Sequence, residues 1–164
     1  MKKVLIYNAH LMPMTDAEIA CGFLAAEDGK IASLGEMSDC PAQDGFDVCV
    51  DAAGGYLMPG LIDAHTHLGL YEDGLGFEDT DPATPQMRVI DGINPMERSF
   101  EEARAAGVTC CGVSPGSANP MGGQIAVIKT SGHWVDRMIV QQPAAIKCAL
   151  GENPKAVYHD KDET

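Results

Sequence analysis

The stretch VDAAGGYLMPGLIDAHTHLG, Val50 to Gly69, decides how this chain is read. An apolar pair, Leu61-Ile62, leads into Asp63, His65 and His67 at alternate positions. Side chains alternate across a strand, so residues two apart share a face. His65 and His67 therefore point the same way, and Asp63 belongs to the same set. Two imidazoles at that spacing can bind one metal ion. Asp63 can orient one of them or line the site, and Gly60 and Gly69 leave room at both ends. Taken alone, the pair also reads as two partly exposed histidines at a strand end.

Residues 1–57, upstream of the apolar pair, read as short strands forming a small β module. KVLIYNA is one strand, and IACGFLAAEDGKIASLG is a hairpin with Asp28-Gly29 at its turn. FDVCVDAAGGYLMPG gives another strand, a Gly-Gly turn and a lead into Pro59-Gly60. Residues 58–164 have a different texture. LIDAHTHL is a strand, followed by a loop rich in Gly, Asp and Pro from about Gly69 to Gly92. INPMERSFEEARAAG reads as a helix with Asn94 as N-cap, Pro95 at its first position and Glu97 closing a capping box. Met96, Phe100 and Ala103 form its apolar stripe, and Gly107 is placed to stop it. VTCCGV (108–113), IAVIKTS (125–131) and AAIKCALG (144–151) are further strand-like runs. Strand, helix, strand in this order suggests the start of a parallel α/β sheet or barrel. The polar end, HDKDET, reads as frayed.

The chain has 164 residues and is 45% hydrophobic, so it can bury a core. Its formal net charge of −13 argues against nucleic acid or an anionic membrane as partner. The N-terminal apolar run before Asn8 is too short for a signal h-region, and no run approaches the ~20 apolar residues of a membrane span. The cysteines form no C-x-x-C pair, which fits buried free thiols in a reducing cytoplasm better than a disulfide framework or zinc ribbon. A redox or metal-buffering role for them would need ligand spacing that they lack.

The run Val50–Gly69 resembles the entry to the first barrel strand of the amidohydrolase superfamily. The β module in front, with its DGKIASLG hairpin, is similar too. EARAAGVTCCGVSPGSANPMGGQIAVIKTSG (102–132) and AIKCALGENPKAVY (145–158) most resemble the imidazolonepropionase-related members. The resemblance runs from about Lys3 to Tyr158. It implies an α/β fold: a small β-sandwich module, part of a composite urease-like domain, then the first strands and helices of an incomplete (β/α)8 TIM-type barrel. It implies a hydrolase acting on a C–N bond of a small cyclic amide, amidine or dipeptide-like substrate, with one or two ions of Zn²⁺ or another divalent metal. His65 and His67 would be the first two ligands. Such an ion lowers the pKa of a water to about 7.

Two-metal relatives need a bridging anion. Lys147 in AAIKCALG lines up with a relative's lysine that CO₂ carboxylates, and Glu152 is the alternative bridge. Lys147 also reads as a strand lysine with a solvated head, and Glu152 as a helix-terminus acid. GSANPMGGQ (116–124) reads as a tight turn, or as a pocket mouth offering backbone N–H groups to a substrate carboxylate. His133, Trp134, His10 and His159 read as packing or surface residues. The resemblance places two further histidines and the catalytic aspartate on later strands, and this sequence has no matching segments. A complete barrel takes roughly 200 residues at least. The expectation is an N-terminal portion that is inactive by itself and self-associates or is completed by another polypeptide. The alternative is a truncated, non-catalytic relative serving as a binding or assembly piece.

Overall fold

The computed structural model describes residues 2–70 and 80–159. The backbone divides into two compact units, Met1–Pro59 and Gly60–Thr164.

The first unit is one mixed five-stranded sheet. β1 (Lys3–Leu11), β2 (Ile19–Glu27) and β3 (Lys30–Glu36) form an antiparallel meander, and β4 (Val48–Asp51) and β5 (Tyr56–Leu57) both run parallel to β1. Asp28 and Gly29 both have positive φ, at 52° and 77°, as a two-residue hairpin turn with the right twist demands. The core is Leu5, Phe23 and Ala25, with Tyr7, Met37, Cys40 and Phe46 packed against them. Between β4 and β5 the chain turns at Ala53 and Gly54, with φ of 48° and 81°. Asp51 caps that turn by accepting from Ala53 N–H at 2.9 Å and from Asn8 Nδ2 at 3.0 Å. These two bonds hold its carboxyl below the ordinary carboxylate range.

The second unit carries a four-stranded sheet in the order β6 (Leu61–Thr66), β7 (Val108–Val113), β8 (Met121–Lys129), β9 (Ile139–Cys148). β6 and β7 are parallel, joined through α1 (Arg98–Ala105). The expected run of parallel strands ends there, because β8 is antiparallel to both β7 and β9. Only residues 114–120 link β7 to β8, and a parallel crossover needs a dozen or more. GSANPMGGQ is therefore only partly a turn, since Met121–Gln124 already belong to β8. The short helix α2 (Val135–Met138) precedes β9, and α3 (Glu152–Tyr158) follows it. The core joins Leu70, Val89, Ile90, Ile93 and Phe100 to Cys111, Val113, Ala126, Ile128 and Met138.

The first helix is shorter than its sequence suggests. It begins at Arg98, with Glu97 as a cap whose carboxylate accepts from Ser99 Oγ at 2.5 Å and from no helix N–H. Asn94 Oδ1 accepts from Met96 N–H at 3.1 Å, and Asn94 O accepts from Glu97 N–H at 3.2 Å. That local turn takes the groups a capping box would use. Phe100 is buried as expected, Met96 is exposed, and Gly107 ends the segment at φ 87°. Part of the Gly69–Gly92 loop and the tail beyond His159 lie outside the described residues. Among the described residues, no helix is long and apolar enough to cross a membrane.

β6 and β7 lie close at Gly112, where an added Cβ would sit 2.5 Å from Ala64 O. That neighbour is backbone, between the Asp63 and Thr66 pairings of β6 with β7. Gly112→Ala is expected to cost about 1–3 kcal/mol, read as a lower urea midpoint with unchanged slope.

Candidate metal centre

β6 carries His65 at its carboxyl end, and His67 lies just beyond the last strand residue, Thr66. Their ring centroids are 5.2 Å apart and the planes cross at 79°. His65 is exposed and His67 half-buried. His67 Nδ1 lies 2.7 Å from the carbonyl oxygen of Ser114. A carbonyl only accepts, so Nδ1 carries the proton and Nε2 keeps a free lone pair. His65 Nε2 lies 3.0 Å from Lys147 Nζ, where the ammonium donates and the imidazole accepts. Asp63 Oδ1 accepts from the His65 backbone N–H at 3.2 Å. Its carboxylate thus braces the strand end rather than a ring nitrogen.

Lys147 reaches His65 from the opposite edge of the sheet. Four flat strands would put the outer two about 14 Å apart. Strand side chains stand roughly perpendicular to the sheet. A 3.0 Å contact therefore requires the sheet to curl, with both side chains on its concave face. Gly122 on β8 lies under the lysine stem, since a Cβ there would be 3.5 Å from Lys147 Cβ and Cγ.

Partial desolvation lowers the His65 pKa, the nearby Lys147 and His67 charges lower it further, and Asp63 opposes them. His65 therefore stays neutral, with its lone pair available, to lower pH than a free imidazole.

Glu152 opens α3, and its carboxylate pairs with Lys155 at 3.3 Å on the surface. That is the placement of a helix-terminus acid. His10 pairs with Glu18 at 2.9 Å and packs on Tyr56, while His133 and Trp134 are exposed. All six thiols are free, yet only Cys110 and Cys111 are buried. The expectation of buried thiols fails for Cys21, Cys49 and Cys148, which lie on exposed strand positions. The Cys111 thiol is pushed up to about 12, mainly by burial, so it is no nucleophile at neutral pH. Sequence reasoning missed Ser114, because it acts through a backbone carbonyl that its residue type does not reveal.

His65, His67 and Lys147 fit one side of a metal site: two imidazole donors and an amine that can become an anion. Among the described residues no three His, Cys, Asp or Glu side chains come together to complete one.

No family model matches the chain. It is 30% identical over 186 residues to the amidohydrolase tasK of Hapsidospora irregularis, covering 96% of this chain and 19% of that protein. It is 43% identical over 76 residues to the imidazolonepropionase of Colwellia psychrerythraea, covering 40% of this chain and 18% of that one. The crystal structure of an amidohydrolase from Thermotoga maritima superposes with a TM-score of 0.88 at 41% identity, over 98% of this chain and 42% of that one. The chain belongs to the amidohydrolase superfamily, and its second unit is the opening part of that family's TIM-type barrel. Its curated relatives include enzymes named imidazolonepropionase, and the match falls on their N-terminal portion. The chain spans under half the length of each of these relatives.

In an NMR pH titration, His65 should show a midpoint below the ordinary value of about 6.5. Lys147→Met should raise that midpoint without restoring it fully, because desolvation remains.

Proposed function

We propose that the chain forms part of a metal-dependent hydrolase acting on a C–N bond of a small cyclic amide, amidine or dipeptide-like substrate. The observation that carries this reading is the convergence of His65, His67 and Lys147 on one concave face, with the His67 proton held on Nδ1 by Ser114. The superfamily membership and the relatives named imidazolonepropionase support it.

His65 and His67 would hold a divalent ion, zinc by preference for imidazole donors, through Nε2. Such an ion supplies Lewis acidity and brings the pKa of water into the neutral range. Ser114 keeps His67 in the tautomer that leaves Nε2 free, and partial desolvation keeps His65 neutral. Lys147 as an ammonium occupies the His65 lone pair. Addition of its amine to CO₂, with loss of a proton, would make it a carbamate able to bridge two ions. Glu152 is the alternative bridge and would first have to leave Lys155.

A third protein ligand and the proton-transferring aspartate would come from residues outside this sequence, on the same polypeptide or on a completing partner. We infer that the 164 residues alone do not turn over substrate and tend to self-associate through the outer strands β6 and β9. The second reading is a truncated, non-catalytic relative serving as a binding or assembly piece. Six free thiols suit a reducing cytoplasm.

Zinc at about 100 times its dissociation constant should stabilise the chain by roughly 2.7 kcal/mol, seen as a higher melting temperature. The gain should vanish in the His65→Ala/His67→Ala double variant. No zinc-dependent shift in the parent protein would favour the non-catalytic reading instead.

A further inference from the structure

Three buried side chains form a hydrogen-bonded chain that the reading above leaves unused. Tyr158 OH donates to Asn119 Oδ1 at 2.6 Å, and Asn119 Nδ2 donates to Thr84 Oγ1 at 2.9 Å. Thr84, Asn119 and Tyr158 are 5%, 4% and 0% exposed, so breaking one link strands a polar group away from water.

Its position gives it a use. β6, β7 and β9 run in one direction and β8 runs against them. The segments that hold Thr84, Asn119 and Tyr158 follow the carboxyl ends of β6, β7 and β9 respectively. The network therefore ties together three connections at the end of the sheet that carries His65, His67 and Lys147. Backbone bonds run alongside it: Thr84 N–H to Met121 O at 2.8 Å, and Ala149 N–H to Pro120 O at 3.2 Å.

The 114–120 turn links this network to the histidines. Ser114 N–H donates to Thr66 O at 2.9 Å, which fixes one side of that residue to β6. Its carbonyl belongs to the peptide that opens the 114–120 turn, so a displacement of the turn's far end is passed back to it along the chain. Asn119 holds that end, with both ends of its amide engaged in buried bonds. The carbonyl at the near end accepts the hydrogen bond from His67 Nδ1–H.

We propose that Thr84, Asn119 and Tyr158 are positioning residues that fix the 114–120 turn and, through the Ser114 carbonyl, the tautomer and aim of His67. The value of this to catalysis rests on His67 being a metal ligand, whereas the positioning itself does not. The test is ¹⁵N NMR of the His67 ring in the metal-free 164-residue chain, at a pH above the imidazole range. The parent protein should hold the proton on Nδ1. Thr84→Val and Tyr158→Phe should shift it toward Nε2, and Thr84→Ser, which restores a hydroxyl, should keep the parent signature. Zinc affinity should fall roughly tenfold in the first two variants and not in the third. An unchanged His67 signature in folded Thr84→Val and Tyr158→Phe overturns the proposal. If Thr84→Val does not fold, Tyr158→Phe decides, since it keeps the ring and its packing. If the parent binds no zinc while the tautomer responds as expected, the metal reading fails and the positioning role stands.

Discussion

The hydrogen bond from Lys147 Nζ to His65 Nε2 joins the two outer strands of a four-stranded sheet. It exists because the sheet curls, and the curl depends on small residues between those strands. Gly112 lets β7 press against the Ala64 carbonyl of β6, and Gly122 lets the lysine stem lie close over β8. A side chain at Gly112 would meet the Ala64 carbonyl and push β6 and β7 apart, which would separate the amine from the imidazole. The chemistry on the concave face is thus set by residues that have no chemistry of their own.

The parts of this arrangement that were legible in the sequence are those governed by local rules. Asp28-Gly29 forms its hairpin because both residues tolerate positive φ. The i, i+2 spacing of His65 and His67 does bring their rings side by side. Other features depended on competition that the sequence does not display. Asn94 suits a helix cap and an Asx turn equally well, and the turn moved the helix start to Arg98. The run from Met121 looked like a connection because of its glycines, yet both lie in β8, and Gly123 is needed where the Met87 carbonyl comes within 2.6 Å of an added Cβ. The reversal of β8 follows from a linker length that was readable in principle once the start of β8 was placed. Ser114 and the Thr84–Asn119–Tyr158 chain were invisible, because their roles come from a backbone carbonyl and from long-range burial.

Membership of the amidohydrolase superfamily and the curled sheet are consistent with each other. Barrel enzymes place their chemistry at the carboxyl ends of the strands, and His65, His67 and Lys147 lie at the carboxyl ends of β6 and β9. The reversed β8 keeps that rule intact. It returns the chain to the far end of the sheet, so β9 sets out in the same direction as β6 and β7. One extra antiparallel strand thus does the work of a crossover helix.

That reversal also orders assembly in time. β8 and β9 are neighbours in sequence, joined through a short link containing α2, whereas β6 and β7 meet only across the long segment from His67 to Gly107. Closing a longer loop costs more entropy before any contact repays it. The hairpin bearing Lys147 is therefore expected to form ahead of the pairing that delivers the histidines. The meeting of lysine and imidazole then comes late in folding, and an ordered site would mark a chain that has finished.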